Sequence, residues 1–131
     1  MNELNNISFK QERYMVELFL IHPILFYAFL DVSSWAYKKN LPIIVTNVLD
    51  KQKDSETDSH PQGRAIDISV IHWPDRSIRE ADNYFDAKYG KIAAISGKTG
   101  KPNFFVYHKT KKEGSKWHIH LQINAKYRKW D

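Results

Sequence analysis

The chain contains no cysteine among its 131 residues. Disulfide bonds and thiolate metal sites are therefore excluded, and any metal site must use histidine, aspartate, glutamate or backbone oxygen. Glycine and proline are scarce, at five residues each, and neither an internal repeat nor a low-complexity linker is present. A hydrophobic content of 42% and an aromatic content of 14% are typical of a folded globular protein. We therefore expect a single domain, residues 1–131, and a monomer.

A hydrophobic run long enough to cross a membrane is also missing. The most apolar stretch, Leu18 to Leu30, is shorter than the roughly 20 residues of a membrane helix, and His22 and Pro23 interrupt it. It has neither a short basic region before it nor a small-residue cleavage site after it. We interpret it as buried helix, and we expect a protein made in the cytoplasm without a signal peptide.

Positive charge exceeds negative charge, with 20 lysines and arginines against 15 aspartates and glutamates and a net charge of +5. Such a chain is attracted to polyanions, whether nucleic acid, an anionic membrane or an anionic cell wall. Lysines alternate with aromatic residues over 91–112 and 124–130, which could line a phosphate backbone. Because charge runs are usually solvated faces, we favour that interpretation and expect no nucleic-acid partner.

Helical patterns dominate the first third of the chain and strand patterns the rest. Helices are predicted over Ser8 to about Ile21, from Pro23 to about Lys38, and from a capping box at Ser77–Glu80 to about Tyr89. Strands are predicted over Leu41–Leu49, over Arg64–Trp73, and over 103–109 and 116–123, which form a hairpin. This order predicts an α+β fold, in which N-terminal helices pack on a small, mostly antiparallel sheet.

The segment "WHIHLQI", residues 117–123, carries two histidines in a strand pattern. Successive side chains of a strand point to opposite faces, so His118, His120 and Gln122 share one face while the apolar residues share the other. The apolar set belongs to the core. The two histidines are then close enough to act at one site.

A second polar group lies in "HPQGRAID", residues 60–67. Asp67 points away from the apolar face of its strand, and Gly63 permits a turn that could bring His60 over the same face. If the two strands are neighbours, His60, Asp67 and His120 converge. Two imidazoles and one carboxylate leave a fourth position open for water, which is the plan of a catalytic zinc site. Non-haem iron oxygenases use the same ligand types, but their H-x-D spacing is absent.

His60, Gly63, Ala65 and Asp67 match the motif H-x-x-G-x-A-x-D position by position. The segment thereby resembles the M15 peptidases, the group of D-Ala-D-Ala carboxypeptidases and phage L-alanyl-D-glutamate endolysins. The later "HIH" resembles the H-x-H of the wider superfamily, which includes lysostaphin-type peptidases and the Hedgehog signalling domain. The resemblance extends over most of the chain, roughly from His22 to Ile123.

The resemblance implies a Hedgehog/D-Ala-D-Ala peptidase-like fold with Zn²⁺ held by His60, Asp67 and His120. It implies a zinc metallopeptidase, a carboxypeptidase or an endopeptidase, that hydrolyses a peptide bond in peptidoglycan stem peptides, as in phage or prophage cell-wall lysis. No separate wall-binding domain is expected, and the protein would reach the wall through lysis or in a phage particle. A non-catalytic zinc module of the same fold and a basic nucleic-acid-binding domain remain alternatives.

The catalytic base departs from the family pattern. M15 enzymes usually carry Glu or Asp three residues before the last zinc histidine, and this chain has Trp117 there. The nearest carboxylate is Glu113, and "EGSKWHIHL" resembles the Hedgehog segment "ESKAHIHC". Glu113 and His118 therefore remain alternative bases, each of which has to reach the proton of the attacking water.

Substrate contacts are expected from residues around these segments. The arginine that many M15 enzymes carry after the strand before the motif is missing here, so Arg64 or a lysine would have to replace it. The expected substrate-binding residues are Ser59, Arg64, Trp73, Tyr107 and Gln122.

Overall fold

The structure is a computed structural model that describes residues 6–51, 59–96, 99–108 and 118–127. In this part of the chain three α-helices and five β-strands form an α+β fold, as predicted. In chain order the elements are β1 (Ile7–Phe9), α1 (Arg13–Glu17), α2 (Pro23–Lys38), β2 (Ile43–Asn47), β3 (Ala65–Ser69), α3 (Asp75–Tyr89), β4 (Phe105–His108) and β5 (His118–Gln122). Short 3₁₀ helices follow α1 at Leu18–Leu20 and α3 at Gly90–Ile92.

The five strands form one mixed sheet in the order β1-β2-β3-β5-β4. Only β1 and β2 run parallel, and the other three pairs are antiparallel, in agreement with the predicted mostly antiparallel sheet. The strands that carry the two polar motifs, β3 and β5, are direct neighbours in the sheet. The order of the strands therefore meets the condition that the predicted metal site required.

The core lies between one face of this sheet and the longer helices. Alternating apolar side chains of the strands are fully buried there, as period-2 patterning requires: Ile43, Val45, Ile66, Ile68, Ile119 and Leu121. Helices α2 and α3 bury their apolar residues in the same core: Leu25, Ala28, Phe29, Val32, Ala36, Ile78, Ala81 and Phe85. The polar residues at alternate strand positions consequently lie on the opposite face.

Helix α2 begins and ends as predicted, at Pro23 and Lys38. His22 is its N-cap, and the His22 Nδ1 accepts a hydrogen bond from the backbone nitrogen of Ile24 at 3.1 Å. Backbone N–H groups in the first turn of a helix have no partner within the helix, and proline has no N–H to leave unpaired. Proline is therefore well suited to the first turn of α2. None of the described helices is long and apolar enough to cross a membrane.

Two predicted helix starts are wrong. A helix is expected from Ser8, but residues 8 and 9 belong to β1, which pairs with β2, and α1 begins only at Arg13. The edge of β2 offers these residues backbone hydrogen-bond partners that a local pattern does not reveal. Helix α3 begins at Asp75 after Pro74, and Ser77 lies inside its first turn without capping it. The backbone nitrogen of Ser77 instead donates to the carbonyl of Pro74 at 2.9 Å.

The predicted strand over Arg64–Trp73 is shorter in the structure, where β3 ends at Ser69. The predicted pairing of the last two strands is confirmed, because β4 and β5 are antiparallel neighbours. The turn of this hairpin, residues 110–115, and most of the predicted polar loop over 50–59 lie outside the described residues.

Candidate metal centre

The ladder between β3 and β5 aligns the two polar motifs residue by residue. Asp67 is paired with His120, and Ser69 is paired with His118. Directly opposite residues of an antiparallel pair have their Cβ atoms about 4.5–5.5 Å apart on the same face. The face predicted for the two histidines therefore also carries Asp67.

Three side chains converge on this face. The Nδ1 atom of His120 lies 2.7 Å from Oδ1 of Asp67, and the Nε2 atom of His60 lies 3.3 Å from Oδ2 of the same carboxylate. The rings of His60 and His120 meet edge to face with centroids 5.0 Å apart. One ligand atom from each residue lies within 4.8 Å of the other two, which is close enough to hold one metal ion.

A tight turn brings His60 to the site. The backbone nitrogen of Gly63 donates to the carbonyl of His60 at 3.0 Å, and Arg64 donates to the carbonyl of Ser59 at 3.0 Å. Gly63 adopts a φ of 71°, in the left-handed region that glycine enters at little cost. The carbonyl of Gly63 accepts from the backbone nitrogen of His22 at 3.1 Å. The turn is thus fastened to the start of α2.

The ring of His60 is oriented by a backbone carbonyl of the segment that follows β2. His60 is 1% exposed, and its Nδ1 lies 2.9 Å from the carbonyl oxygen of Val48. Because a carbonyl can only accept, Nδ1 carries the proton that it donates to Val48, and Nε2 is the ring nitrogen that faces Asp67. Metal-binding histidines commonly donate their other ring N–H to such an acceptor.

Asp67 is held in its charged form. Burial raises the pKa of the Asp67 carboxyl, but the imidazoles of His120 and His60 beside it lower this pKa by more. The net result is a pKa well below the usual range of an aspartate. A buried carboxylate between two imidazoles is a suitable anionic ligand for a divalent cation.

The donor set fits a three-ligand metal site. Zinc bonds of about 2.0–2.1 Å in a tetrahedral arrangement separate neighbouring donor atoms by about 3.3 Å, which matches the 3.3 Å between His60 and Asp67. The 2.7 Å contact between His120 and Asp67 is a hydrogen bond, so a cation has to displace its proton. The His120 side chain is 16% exposed, against 7% for Asp67, so the site opens to solvent on the His120 side.

The other predicted site residues divide into two groups. Gln122 shares the face of His120, but its Nε2 donates to the carbonyl of Asn103 at 3.0 Å and fastens that loop. Arg64 is buried, and its Nη1 donates to the carbonyl of Ile123 at 2.8 Å. These contacts give both side chains an anchoring role at the edge of the site. Ser59 is half-buried at the start of the turn.

Two predicted cleft residues are corrected. Trp73 is buried in the core, with its ring 5.9 Å from that of Trp35 and its Nε1 donating to the carbonyl of Pro42 at 2.7 Å. Tyr107 is paired with Ile119, so it points to the apolar face of the sheet and packs against the core. Glu113 and Trp117 lie outside the described residues.

The structure adds residues that the sequence analysis missed. Asn47 is paired with Asp67 across a register shift in β2, and the carbonyl of Val48 orients His60. A carbonyl leaves no trace in side-chain patterns, and a register shift depends on the partner strand. The signal in the sequence was Asn47, a polar residue of low β-propensity among the β-branched residues of this strand pattern.

A comparison of the chain with protein-family models gave no match, and comparisons with curated proteins and with solved structures gave none. The resemblance to the M15 peptidases therefore stands on the motif residues alone.

Proposed function

We propose that this chain is a zinc-dependent peptidase that hydrolyses a peptide bond in the stem peptides of bacterial peptidoglycan. The observation that carries the proposal is the convergence of His60, Asp67 and His120, with donor atoms within 4.8 Å of one another. The resemblance of both motifs to those of M15 peptidases supplies the reaction class. We place the protein in phage or prophage cell-wall lysis, reaching the wall by lysis or in a phage particle.

The three residues have distinct roles in holding the metal. His60 offers Nε2, because its Nδ1 proton is donated to Val48. Asp67 offers a carboxylate oxygen, and His120 offers Nδ1 once its proton has been displaced. A zinc ion held by this donor set would polarise the scissile carbonyl and lower the pKa of a bound water molecule.

His118 is the base that the described residues support. It lies on the same strand face as His120, about 6.4–6.8 Å away along the strand, and it is partly exposed. His118 takes a proton from the attacking water, whose oxygen bonds to the carbonyl carbon. The C–N bond then breaks, and His118 returns the proton to the departing amine. Glu113 stays the alternative base.

The positive charge of the chain suits a cell-wall substrate, as it suits other polyanions. The net charge of +5 favours an anionic polymer such as the bacterial wall, in addition to the motif resemblance. Carboxypeptidase and endopeptidase activity both fit the ligand set, because the same chemistry serves a terminal and an internal peptide bond.

The test is digestion of purified peptidoglycan followed by mass spectrometry of the released muropeptides. We expect zinc-loaded protein to release products that identify the bond, and a chelator to stop the reaction until zinc is restored. His120→Ala should be inactive under the same conditions. Tight zinc binding without any product would favour a non-catalytic zinc module, and activity indifferent to chelation would refute the proposal.

A further inference from the structure

Three side chains of α1 hold the segment that follows β2. The Arg13 guanidinium donates to both carboxylate oxygens of Asp50, and the Tyr14 hydroxyl donates to Asp50 Oδ2 at 2.6 Å. The Glu17 Oε1 accepts a hydrogen bond from the backbone nitrogen of Leu49 at 3.1 Å. Residues 49 and 50 are therefore tied to α1 through a carboxylate, a phenol and an ion pair.

The same segment is closed on itself by Asn47. The Asn47 Oδ1 accepts from the backbone nitrogen of Asp50 at 2.9 Å, and its Nδ2 donates to the carbonyl of Asp50 at 3.2 Å. Asn47 is 4% exposed and is paired with Asp67 in the sheet. Asn47, at one end of the turn over 47–50, therefore lies on the sheet face that carries Asp67 and His120. Asp50, at the other end, is held by α1.

The carbonyl that orients His60 belongs to this turn. Val48 lies between the two anchored ends, and its oxygen accepts the hydrogen bond from His60 Nδ1 at 2.9 Å. Displacement of the turn would move this acceptor and release the imidazole to rotate. Outer partners of metal-binding histidines fix ring orientation and tautomer, and their loss typically weakens metal binding about 10–100-fold.

We propose that Asp50, held by Arg13 and Tyr14, is a positioning residue for the metal ligand His60 and acts through the carbonyl of Val48. This inference rests on the proposed function for the identity of the metal. The orientation of the His60 ring is a property of the metal-free protein and is open to measurement by itself.

Asp31 offers a matched control for a purely structural role. It accepts hydrogen bonds from Lys88 Nζ at 2.6 Å and from the Tyr89 hydroxyl at 2.6 Å, so it too joins a cation and a phenol. The side chains of Asp31 and Asp50 are 27% and 34% exposed. The contacts of Asp31, however, join α2 to α3 in the helical layer. Loss of either carboxylate should destabilise the fold, but only loss of Asp50 should disturb His60.

The first experiment compares Asp50→Ala with Asp31→Ala in the full chain. Zinc affinity is measured by competition with a chelating indicator, at a temperature where circular dichroism shows each metal-free variant to be folded. We expect Asp50→Ala to weaken zinc binding about 10-fold and Asp31→Ala to leave it within about twofold. Equal losses in the two variants, or unchanged affinity in Asp50→Ala, would overturn the inference.

The second experiment uses milder variants and needs no metal. Tyr14→Phe and Tyr89→Phe each remove one hydroxyl that donates to an aspartate. Long-range ¹H–¹⁵N spectra of the metal-free protein report which ring nitrogen of His60 carries the proton. We expect Nδ1–H in the unmodified protein and in Tyr89→Phe, and a mixture of tautomers in Tyr14→Phe. An unchanged His60 spectrum in Tyr14→Phe would contradict the positioning role.

The two experiments separate this inference from the proposed function. Failure of the unmodified protein to bind zinc would overturn the proposed function, while the spectra would still decide whether α1 orients His60. If the protein binds zinc but has no peptidase activity, zinc affinities and His60 spectra of the variants still test the positioning role.

Discussion

The Nδ1 atom of His120 lies 2.7 Å from Oδ1 of Asp67, although the two residues are 53 positions apart in the chain. Antiparallel pairing of β3 with β5 sets this distance, because it places the two residues directly opposite each other. His60 contacts the same carboxylate from a loop. The Asp67 carboxylate therefore lies between one histidine that is positioned by the sheet and one that is positioned by a turn.

Removal of His120 should abolish tight metal binding. His120→Ala deletes one of three ligands, and we expect the zinc dissociation constant to rise by at least about 100-fold. His72→Ala is the matched control, because His72 is exposed and does not belong to the three residues that could hold the metal. Equilibrium dialysis with zinc analysis measures both variants. Retained stoichiometric zinc in His120→Ala would show that the ligand set is different.

Removal of His118 should separate catalysis from metal binding. General acid–base groups contribute about 10²–10⁴-fold to a rate, so His118→Ala should lose peptidoglycan hydrolysis by that factor while zinc affinity stays within about twofold. Glu113→Gln tests the alternative base in the same assay. If both variants hydrolyse peptidoglycan at the unmodified rate, neither residue is the base.

Substitution of Gly63 should destabilise the turn that carries His60. An alanine there has to adopt the φ of 71° that Gly63 shows, at a cost of about 1–2 kcal/mol in the free energy of unfolding. Gly90→Ala is the control, because its φ is −58° and a Cβ there meets nothing within 4 Å. Urea unfolding of both variants measures the difference. A Gly63→Ala protein as stable as Gly90→Ala would exclude strain at this position.

Tyr14 should make stability depend on alkaline pH. Burial and then the hydrogen bond to Asp50 raise the pKa of Tyr14 from 10.0 to about 12. A pKa raised by folding adds stability that is complete below about pH 10 and is lost as the pH rises to about 12. Tyr14→Phe should therefore be less stable than the unmodified protein at pH 8, and the difference should shrink between about pH 10 and 12.

Chemical unfolding at a series of pH values measures this difference, with Tyr27→Phe as the control because Tyr27 is exposed. A difference between Tyr14→Phe and the unmodified protein that stays constant up to about pH 12 would contradict a raised pKa for Tyr14.

Several features were predictable because they depend on neighbouring residues alone. The ends of α2 follow from a proline in its first turn, and alternating polarity in β5 separates His118 and His120 from Ile119 and Leu121. The start of β1 and the positions of Trp73 and Tyr107 were not predictable. The position of each of these residues depends on the strand or helix that packs beside it, and a local sequence pattern does not identify that neighbour.

The sequence by itself determined the ligand chemistry of this protein. Without cysteine, a metal could be held only by side chains such as His60, Asp67 and His120, and strand alternation already put the last of these on a polar face. The tertiary structure decided their convergence, through the pairing of β3 with β5 and the left-handed turn at Gly63. It also decided the tautomer of His60, because the acceptor is a backbone carbonyl whose position only the folded turn over 47–50 defines.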